Sequence, residues 1–334
     1  MVAGKPEQQK ISSSEVSVFA KKMELLRAEF RKAVIGQNEV VHRLILAMLS
    51  NGHVLLEGVP GIAKTLMVRV VSVTTGCNFK RIQFTPDLLP ADLIGIVSYL
   101  PGKGFEVHKG PVFTNFLLAD EVNRAPPKVQ SALLECMQEK QATIGNTTYP
   151  IPHPFIVFAT QNPLESLGTY QLPEAQIDRF FFKLLVKYPK FDEELEILHT
   201  NMTIQSFEHF GLHQVTTPEE LLGFQELVGR VHINPSLEKY IVSLVDATRH
   251  PDKYNVQLGK YIEYGCSPRA SIALFQASKV QALMDGRTYV VPDDVLAILH
   301  DTMRHRIILN YEGLAENVST DQVLGELAKK VRVP

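Results

Sequence analysis

A glycine-rich segment between a short apolar run and a helix-like stretch places the strongest constraint on how this chain folds. Residues 53–57 (HVLLE) are followed by GVPGIAKT and then by LMVRVVSVTT, which a helix can accommodate. A strand, a glycine-rich turn and a helix in this order direct backbone N–H groups toward one point at the positive end of the helix. Because such a loop binds phosphate, the segment predicts a nucleotide-phosphate site in an α/β fold.

The residues of this segment have distinct predicted roles. Lys64 would reach the β- and γ-phosphates of ATP, and the Thr65 hydroxyl would ligate Mg²⁺. The usual pattern has a second glycine where this chain has Ala63, and we expect phosphate binding to survive if φ at Ala63 is negative. The predicted ATP-binding residues of the segment are Gly58, Val59, Pro60, Gly61, Ile62, Ala63, Lys64, Thr65 and Leu66.

A second apolar run ends in two adjacent carboxylates. Residues 113–121 read FTNFLLADE, so a buried strand would deliver Asp120 and Glu121 at its carboxyl end. Two such charges are unfavourable at the end of a buried strand unless something positive lies beside them. Asp120 is therefore predicted to belong to the Mg²⁺ shell, and Glu121 is predicted to polarise an attacking water.

The order of the apolar runs indicates an α/β domain followed by a helical one. Further short runs with branched and aromatic residues occur at 79–84, 112–120, 155–160 and 180–186. Their alternation with longer stretches predicts a mostly parallel sheet that helices cover on both faces. After Pro189 the strand signal disappears, which predicts an all-α domain. We assign residues 1–190 to the core with its N-terminal helices and 191–334 to the helical domain.

Apolar residues at helical spacing mark the helices on either side of the sheet region. They predict helices at 15–32, 38–49, 218–231, 235–249, 267–284 and 292–309.

Four motifs in one order resemble the MoxR branch of the AAA+ ATPases. They are GVPGIAKT, LLADEVNRAPPKVQSALLECMQE, FATQNP and LPEAQIDRF. The resemblance covers most of residues 34–181 and extends more loosely through the helical half. It implies a P-loop NTPase core with a C-terminal α-helical lid, and hydrolysis of ATP with Mg²⁺ that drives chaperone-like remodelling or assembly of protein clients. It also implies a homo-oligomeric ring, a hexamer, often with partners that contain von Willebrand factor A domains.

The same resemblance implies roles for residues outside the phosphate loop. Gly36 and Gln37 match the segment that packs near adenine, and Asn162 matches a polar residue that helps to orient the attacking water. Arg179 resembles an arginine finger, which contacts the γ-phosphate bound by the neighbouring subunit. Arg269 resembles a second sensor in the lid, and it could act on the nucleotide of its own subunit or on that of a neighbour.

One arginine and two insertions each have more than one possible interpretation. Arg124 could contact nucleotide, a neighbouring subunit or substrate, or could form a structural salt bridge. The insertion at 87–110 reads as a short-stranded excursion, and 141–154 reads as a hairpin with Gly145-Asn146 at its turn. In the resembled family such excursions project toward the pore or a substrate, but ordinary surface loops fit the sequence equally well.

Charge and composition narrow the classes of function. Lys and Arg number 34 against 36 for Asp and Glu, a net charge of −2, so the chain lacks the broad basic field of a non-specific nucleic-acid binder. A nucleic-acid motor is therefore an alternative that the charge disfavours. A nucleotide-gated binding switch with little turnover is another, and Glu121 and Arg179 argue against it because binding alone does not need them.

Cysteine usage and hydropathy indicate a location. The three cysteines, Cys77, Cys136 and Cys266, occur in apolar or helical stretches, which predicts buried free thiols in a reducing compartment. Neither a secretory signal nor an apolar stretch long enough to span a membrane is visible. These features predict a cytoplasmic protein without an integral membrane segment.

Overall fold

The computed structural model describes residues 10–163, 169–200 and 207–334. The chain folds into two compact units, of which one is Leu26–Leu221 and the other joins Leu222–Pro334 to the N-terminal segment that ends at Leu25. The predicted division into residues 1–190 and 191–334 stays a prediction. In the described part of the chain, no helix combines the length and hydropathy that a membrane span requires. The cytoplasmic location also stays a prediction.

The first unit contains alternating strands and helices. The strands are β1 (Val54–Glu57), β2 (Phe79–Gln83), β3 (Gly95–Leu100), β4 (Gly104–Lys109), β5 (Phe116–Asp120), β6 (Gln141–Ile144), β7 (Thr147–Pro150), β8 (Ile156–Gln161) and β9 (Phe182–Leu185). The helices are α1 (Ser13–Ala33), which begins in the N-terminal segment, α2 (Asn38–Leu49), α3 (Lys64–Thr75), α4 (Pro90–Ile94), α5 (Pro127–Glu139), α6 (Glu174–Ile177) and α7 (Phe191–Thr200).

Five of these strands form a parallel sheet in the order β2-β5-β8-β1-β9. The central strands are apolar up to their polar carboxyl ends and are buried on both faces, and β5 is buried along its whole length, as expected of a sheet that helices cover. Because parallel strands end at one edge of the sheet, the carboxyl ends of β1, β5 and β8 meet there. The parallel sheet predicted from the sequence is confirmed.

The acidic strand is shorter than the sequence indicates. The apolar run predicts a strand over 112–120, but β5 begins at Phe116. The backbone N–H of Val112 donates to the carbonyl of Leu93 at 3.2 Å, so this residue is bonded to the end of α4 and not to the sheet.

Apolar packing between the sheet and α5 forms one core of the first unit. Leu117 and Ala119 of β5 belong to the same buried cluster as Val157 of β8 and Leu133 of α5. Full burial of a leucine-sized side chain contributes roughly 1.5–3 kcal/mol. This packing holds the carboxyl end of β5, where the acidic pair lies, in a fixed position.

The three cysteines are free and buried, as the sequence predicts. Burial raises the pKa of the Cys77 thiol to about 11 and that of Cys136 to about 12. Both therefore stay protonated at neutral pH, where the reactive thiolate is scarce.

Both insertions form hairpins. The first consists of α4 followed by the antiparallel pair of β3 and β4, and the second is the antiparallel pair of β6 and β7. In the second hairpin Ile144 pairs with Thr147, so that Gly145 and Asn146 form the two-residue turn that the sequence predicts. Gly145 has a φ of +63°, which suits a tight hairpin turn.

The second unit is mainly helical. Its elements are α8 (Pro218–Gly229), which begins before Leu222, α9 (Pro235–Arg249), β10 (Ile262–Tyr264), α10 (Pro268–Met284), α11 (Pro292–Met303), β11 (Ile308–Leu309), α12 (Tyr311–Ala315) and α13 (Thr320–Lys330). The helix expected over 292–309 ends at Met303, because Arg304–Arg306 form a tight turn in which the Arg306 guanidinium donates to the carbonyl of Thr302. The chain then pairs β11 with β10, a small antiparallel ladder that helical periodicity did not predict.

His53, which precedes β1, makes the fold sensitive to acid. Its Nε2–H donates to the Met137 carbonyl at 3.1 Å, and its Nδ1 accepts from the backbone N–H of Val157 at 3.0 Å, so the neutral ring is the form that fits. Burial lowers the pKa of His53 from 6.5 to about 4. The unfolded chain therefore binds one more proton than the folded chain between these values, and stability falls as the pH drops from 6.5 toward 4, by up to about 3 kcal/mol.

We expect the urea midpoint of the wild type to fall across this pH window. In His53→Gln, whose amide can both donate and accept, the midpoint should be lower at pH 7 but less dependent on pH. His108→Gln, which removes an exposed histidine of β4, should retain the wild-type dependence. Equal pH dependence in all three proteins would contradict the assignment to His53.

Candidate active site

The loop between β1 and α3 needs glycine at two positions for different reasons. A Cβ at Gly58 would lie 2.6 Å from Cδ1 of Ile62 and 2.7 Å from the carbonyl oxygen of Val186, so no side chain fits there. Gly61 has open space around it but a φ of +83°, which glycine adopts without strain. The loop is thus shaped by close packing at its start and by backbone conformation at its tip.

Ala63, at the end of this loop, corrects an expectation. The sequence predicts that alanine can replace the usual glycine if φ at Ala63 is negative. In the structure φ is +62° and ψ is 19°. A residue with a Cβ in this left-handed region is strained by roughly 1–2 kcal/mol. The Ala63 carbonyl accepts from the Met67 N–H at 3.0 Å, which is the first backbone hydrogen bond of α3. The chain therefore follows the turn that glycine would make, at a cost in stability.

Lys64 and Thr65 form the first turn of α3, at the positive end of its dipole. The Lys64 ammonium donates to the carbonyl of Gly58, which closes the loop on itself. The ammonium thus lies beside the first residue of the loop, and Lys64 and Thr65 line one cleft.

The carboxylate of Asp120 is held at both oxygens. Oδ1 accepts from the Thr160 hydroxyl at 2.5 Å. Oδ2 accepts from Arg81 on the neighbouring strand β2, from Nε at 3.1 Å and Nη2 at 2.7 Å. The predicted cation beside the acidic pair is therefore present, and in this structure it is a guanidinium.

Glu121 leaves the sheet in a strained conformation. Its φ is +56°, and its backbone N–H donates to Oγ1 of Thr160 at 2.8 Å. Its Oε2 accepts from Gln83 Nε2 at 2.7 Å and from Arg124 Nη1 at 2.8 Å. Strain at a non-glycine residue persists only where surrounding contacts enforce it, and these three bonds do so.

Asn162 follows β8 and is almost completely buried. It lines one cleft of about 440 Å³ together with the phosphate-loop residues and both members of the acidic pair. The full lining is Pro60, Gly61, Ala63, Lys64, Thr65, Leu66, Arg81, Gln83, Asp120, Glu121, Thr160 and Asn162. Residues more than 100 positions apart in the chain thus meet at the edge where the strands end.

A second cleft of about 400 Å³ lies on the other side of the same loop. Its lining shares Pro60, Gly61, Ala63 and Leu66 with the first cleft and adds Ile62, Gln37, Tyr188, Pro189, Glu194 and Ile197. The Gln37 amide donates to the Lys187 carbonyl at 2.9 Å, so the residue before α2 is fixed to the segment that follows β9. A polar cleft and a more apolar cleft that share one glycine-rich wall fit the phosphates and the base of a nucleotide.

Gly36 is packed close to this second cleft without lining it. Its φ is +73°, and a Cβ there would meet the Glu193 carboxylate at 2.5 Å. Val59 lies in the loop but lines neither cleft. Gly36 thus shapes the site through its backbone.

The predicted arginines have other contacts within their own units. Arg179, between α6 and β9, donates from Nη1 to the Leu134 carbonyl of α5 at 3.3 Å and lines neither cleft. Arg269 lies in the first turn of α10 in the second unit, where its backbone N–H donates to Ser267 Oγ at 3.2 Å. Arg124 forms the salt bridge with Glu121 that was one of its open interpretations.

Sequence reasoning missed Arg81, Gln83 and Thr160. The available signal was polar residues at alternate positions of β2, since Arg81 and Gln83 lie two residues apart and so on one face. Their relevance depends on β2 pairing with β5, which places Gln83 opposite Asp120. That neighbourhood is set by the strand order, which the sequence did not reveal.

The residues at the cleft fit a magnesium site that nucleotide completes. The described residues hold no cluster of three or more His, Cys, Asp or Glu that could bind a metal by themselves. Thr65 and Asp120, which carry a hydroxyl and a carboxylate, line the cleft together with Lys64. Mg²⁺ commonly takes one or two carboxylates, with phosphate oxygens and waters as its other ligands, so this donor set suits a metal that arrives with phosphates.

Comparisons with known proteins agree with this geometry. Residues 53–182 match the family described as "ATPase family associated with various cellular activities (AAA)", and residues 259–327 match the AAA lid domain. The chain is 45% identical over 308 residues to "Chaperone MoxR1" of Mycobacterium tuberculosis, an alignment that covers 92% of this chain and 81% of that protein. It belongs to the MoxR branch of the AAA+ ATPases.

Two other proteins extend this relationship. "Protein MoxR" of Methylorubrum extorquens is 30% identical over 306 residues, 84% of this chain and 86% of its own. A crystal structure of a candidate ATPase from Cytophaga hutchinsonii superposes with a TM-score of 0.89 at 48% identity and covers 96% of this chain and 98% of its own. The AAA+ core and the helical AAA lid of this MoxR-type chain are thus supported by both sequence and structure.

Proposed function

We propose that this chain hydrolyses ATP to ADP and phosphate with Mg²⁺, and that a ring of its copies uses this reaction to remodel or assemble protein clients. One observation carries the hydrolysis: the phosphate loop, the acidic pair and Asn162 line a single cleft. The ATPase family supports the hydrolysis, and the relative from M. tuberculosis that is named a chaperone supports the remodelling of clients.

Each residue of the cleft has a proposed part in the reaction. The loop N–H groups and the Lys64 ammonium would bind the phosphates, with Lys64 leaving the Gly58 carbonyl. Thr65 and Asp120 would hold Mg²⁺, which supplies charge neutralisation at the phosphate oxygens when it is bound. The Glu121 carboxylate would accept the proton of the attacking water, and the Asn162 amide would orient that water.

The base of the nucleotide is proposed to occupy the second cleft. Gln37 and Tyr188 line it, and the packing of Gly36 against Glu193 fixes the chain beside it. The base then lies across the loop from the acidic pair. This arrangement leaves the γ-phosphate as the part of ATP nearest to Glu121.

A neighbouring subunit is proposed to complete each site. Arg179 lines neither cleft of its own subunit, and an arginine is suited to the charge that spreads over the phosphoryl oxygens during transfer. We therefore propose that Arg179 acts in trans in a closed ring, a hexamer by family resemblance, and that Arg269 of the lid acts as a sensor of nucleotide.

The first insertion offers a surface for protein clients. Tyr99 and Phe105 of the β3–β4 hairpin are 64% and 80% exposed, and their rings make an edge-to-face contact at 5.4 Å. Exposed aromatic rings are common anchors in protein recognition. We propose that this hairpin contacts clients, including proteins with von Willebrand factor A domains.

The proposal is tested by ATP turnover per subunit across a range of protein concentration, with the mass of the assembly measured at each point. We expect specific activity to rise with concentration as rings form, and single-stranded DNA to leave it unchanged. ATP binding without turnover at every concentration would favour a nucleotide-gated switch. Salt-sensitive stimulation by DNA would favour a nucleic-acid motor.

A further inference from the structure

One oxygen of Asp120 is occupied by a cation that belongs to the protein. Thr160 bonds Oδ1 and Arg81 bonds Oδ2 through two nitrogens, so a metal that approaches Oδ2 takes the position of the guanidinium. Both bonds are charge-assisted, which makes each about twice as strong as a hydrogen bond between neutral groups. A divalent cation at the same oxygen would meet a positive charge within hydrogen-bond distance.

The two partners differ in how easily they can move. The side chain of Asp120 is 13% exposed and that of Arg81 is 50% exposed. Asp120 is fixed at the end of a buried strand by the Thr160 bond, whereas Arg81 extends from the edge strand β2. Release of Arg81 into solvent therefore requires little rearrangement of the protein, and displacement of Asp120 requires much.

We propose that Arg81 is the counter-ion of Asp120 in the metal-free site and that Mg²⁺ binds in competition with it. This rests on the proposed function, in which Asp120 belongs to the metal site. Arg81 prevents an unbalanced carboxylate from facing the incoming phosphates, and it leaves when the metal takes over that charge.

Loss of the contact between Arg81 and Asp120 also affects Glu121, the second residue of the acidic pair. Gln83 accepts from Arg81 Nη2 at 2.9 Å through Oε1 and donates to Glu121 through Nε2. The guanidinium thus fixes which way the Gln83 amide faces, and with it a hydrogen bond of Glu121. Metal binding at Asp120 is in this way linked to the side chain that is proposed to activate water.

The test compares nucleotide binding with and without metal in three proteins: wild type, Arg81→Gln and Lys80→Gln. Lys80 is the exposed neighbour of Arg81 on β2, and its side chain points to the other face of the strand, so this control removes the same charge without touching Asp120. The probe is a fluorescent ADP analogue at fixed concentration, titrated with Mg²⁺. Complexation of Mg²⁺ by free nucleotide is the same for all three.

We expect two opposite changes in Arg81→Gln. Binding of the ADP analogue in EDTA should weaken, because Asp120 then faces the phosphates without a counter-ion. The half-saturating Mg²⁺ concentration should fall about threefold to fivefold, because the competitor is gone. Lys80→Gln should match the wild type in both measurements.

The outcomes separate this inference from the proposed function. An unchanged or higher half-saturating Mg²⁺ concentration in Arg81→Gln overturns the competition, even if the wild type binds nucleotide well. A merely structural role for Arg81 would weaken binding with and without metal alike, which also overturns it. Failure of the wild type to bind nucleotide under any condition refutes the proposed function instead.

Discussion

Glu121→Gln should bind ATP about as well as the wild type and turn it over at least about 100-fold more slowly. The amide keeps the shape of the side chain, and its oxygen can still accept from Arg124, so the local structure is maintained. It cannot accept a proton from water, and loss of a positioned general base reduces rates by roughly 10²–10⁴-fold. Single-turnover hydrolysis measured with saturating ATP separates this chemical step from binding.

Glu135→Gln is the matched control for this variant. Glu135 is an exposed glutamate of α5 that lines neither cleft, so the substitution should leave turnover at the wild-type level. If Glu121→Gln retained more than a tenth of the wild-type rate, Glu121 would not be the base. If the variant lost ATP binding as well, its effect would be on the structure of the cleft.

The sheet was predictable because its central strands are buried on both faces. Residues 54–56 and 155–159 are continuous apolar runs bounded by polar or turn-forming residues, and such runs leave few alternatives to a covered parallel strand. The ends of elements were less predictable. Helical spacing continued past Met303, yet the turn at Arg304–Arg306 ends α11, because tertiary pairing of β11 outweighs local propensity.

The candidate site was predictable where its functional residues are consecutive in the sequence. Lys64 and Thr65 follow the loop directly, and Asp120 and Glu121 end one strand, so local pattern sufficed. Arg81 lies 39 positions from Asp120 in the chain, and it reaches the site only because β2 is the neighbour of β5.

The conformation of Ala63 was missed for a related reason. Backbone dihedrals depend on how β1 and α3 are held by the whole sheet, and the composition of the loop does not fix them. A glycine at this position would have indicated the positive φ, and alanine concealed it.

Arg179→Ala should lower turnover by roughly 10³-fold or more while the ring still assembles, because a guanidinium at the transferring phosphoryl group contributes roughly 10³–10⁵ in other P-loop enzymes. Arg179 also bonds the carbonyl of Leu134, so the melting temperature and the mass of the assembly must be measured beside the rate. Arg31→Ala, which removes an exposed arginine of α1, is the matched control and should remain active. An active Arg179→Ala would exclude the finger.

Mixing two inactive variants decides whether Arg179 acts on the nucleotide of its own subunit or on that of its neighbour. Arg179→Ala retains Glu121, and Glu121→Gln retains Arg179. An active site is therefore complete where an Arg179→Ala subunit binds the nucleotide and a neighbouring Glu121→Gln subunit supplies Arg179. Random assembly of equal amounts into closed rings makes about a quarter of the interfaces complete. We therefore expect the mixture to recover up to about a quarter of the wild-type turnover per subunit. If both residues served the same subunit, no assembled ring would contain a complete site, and the mixture would be as inactive as its components.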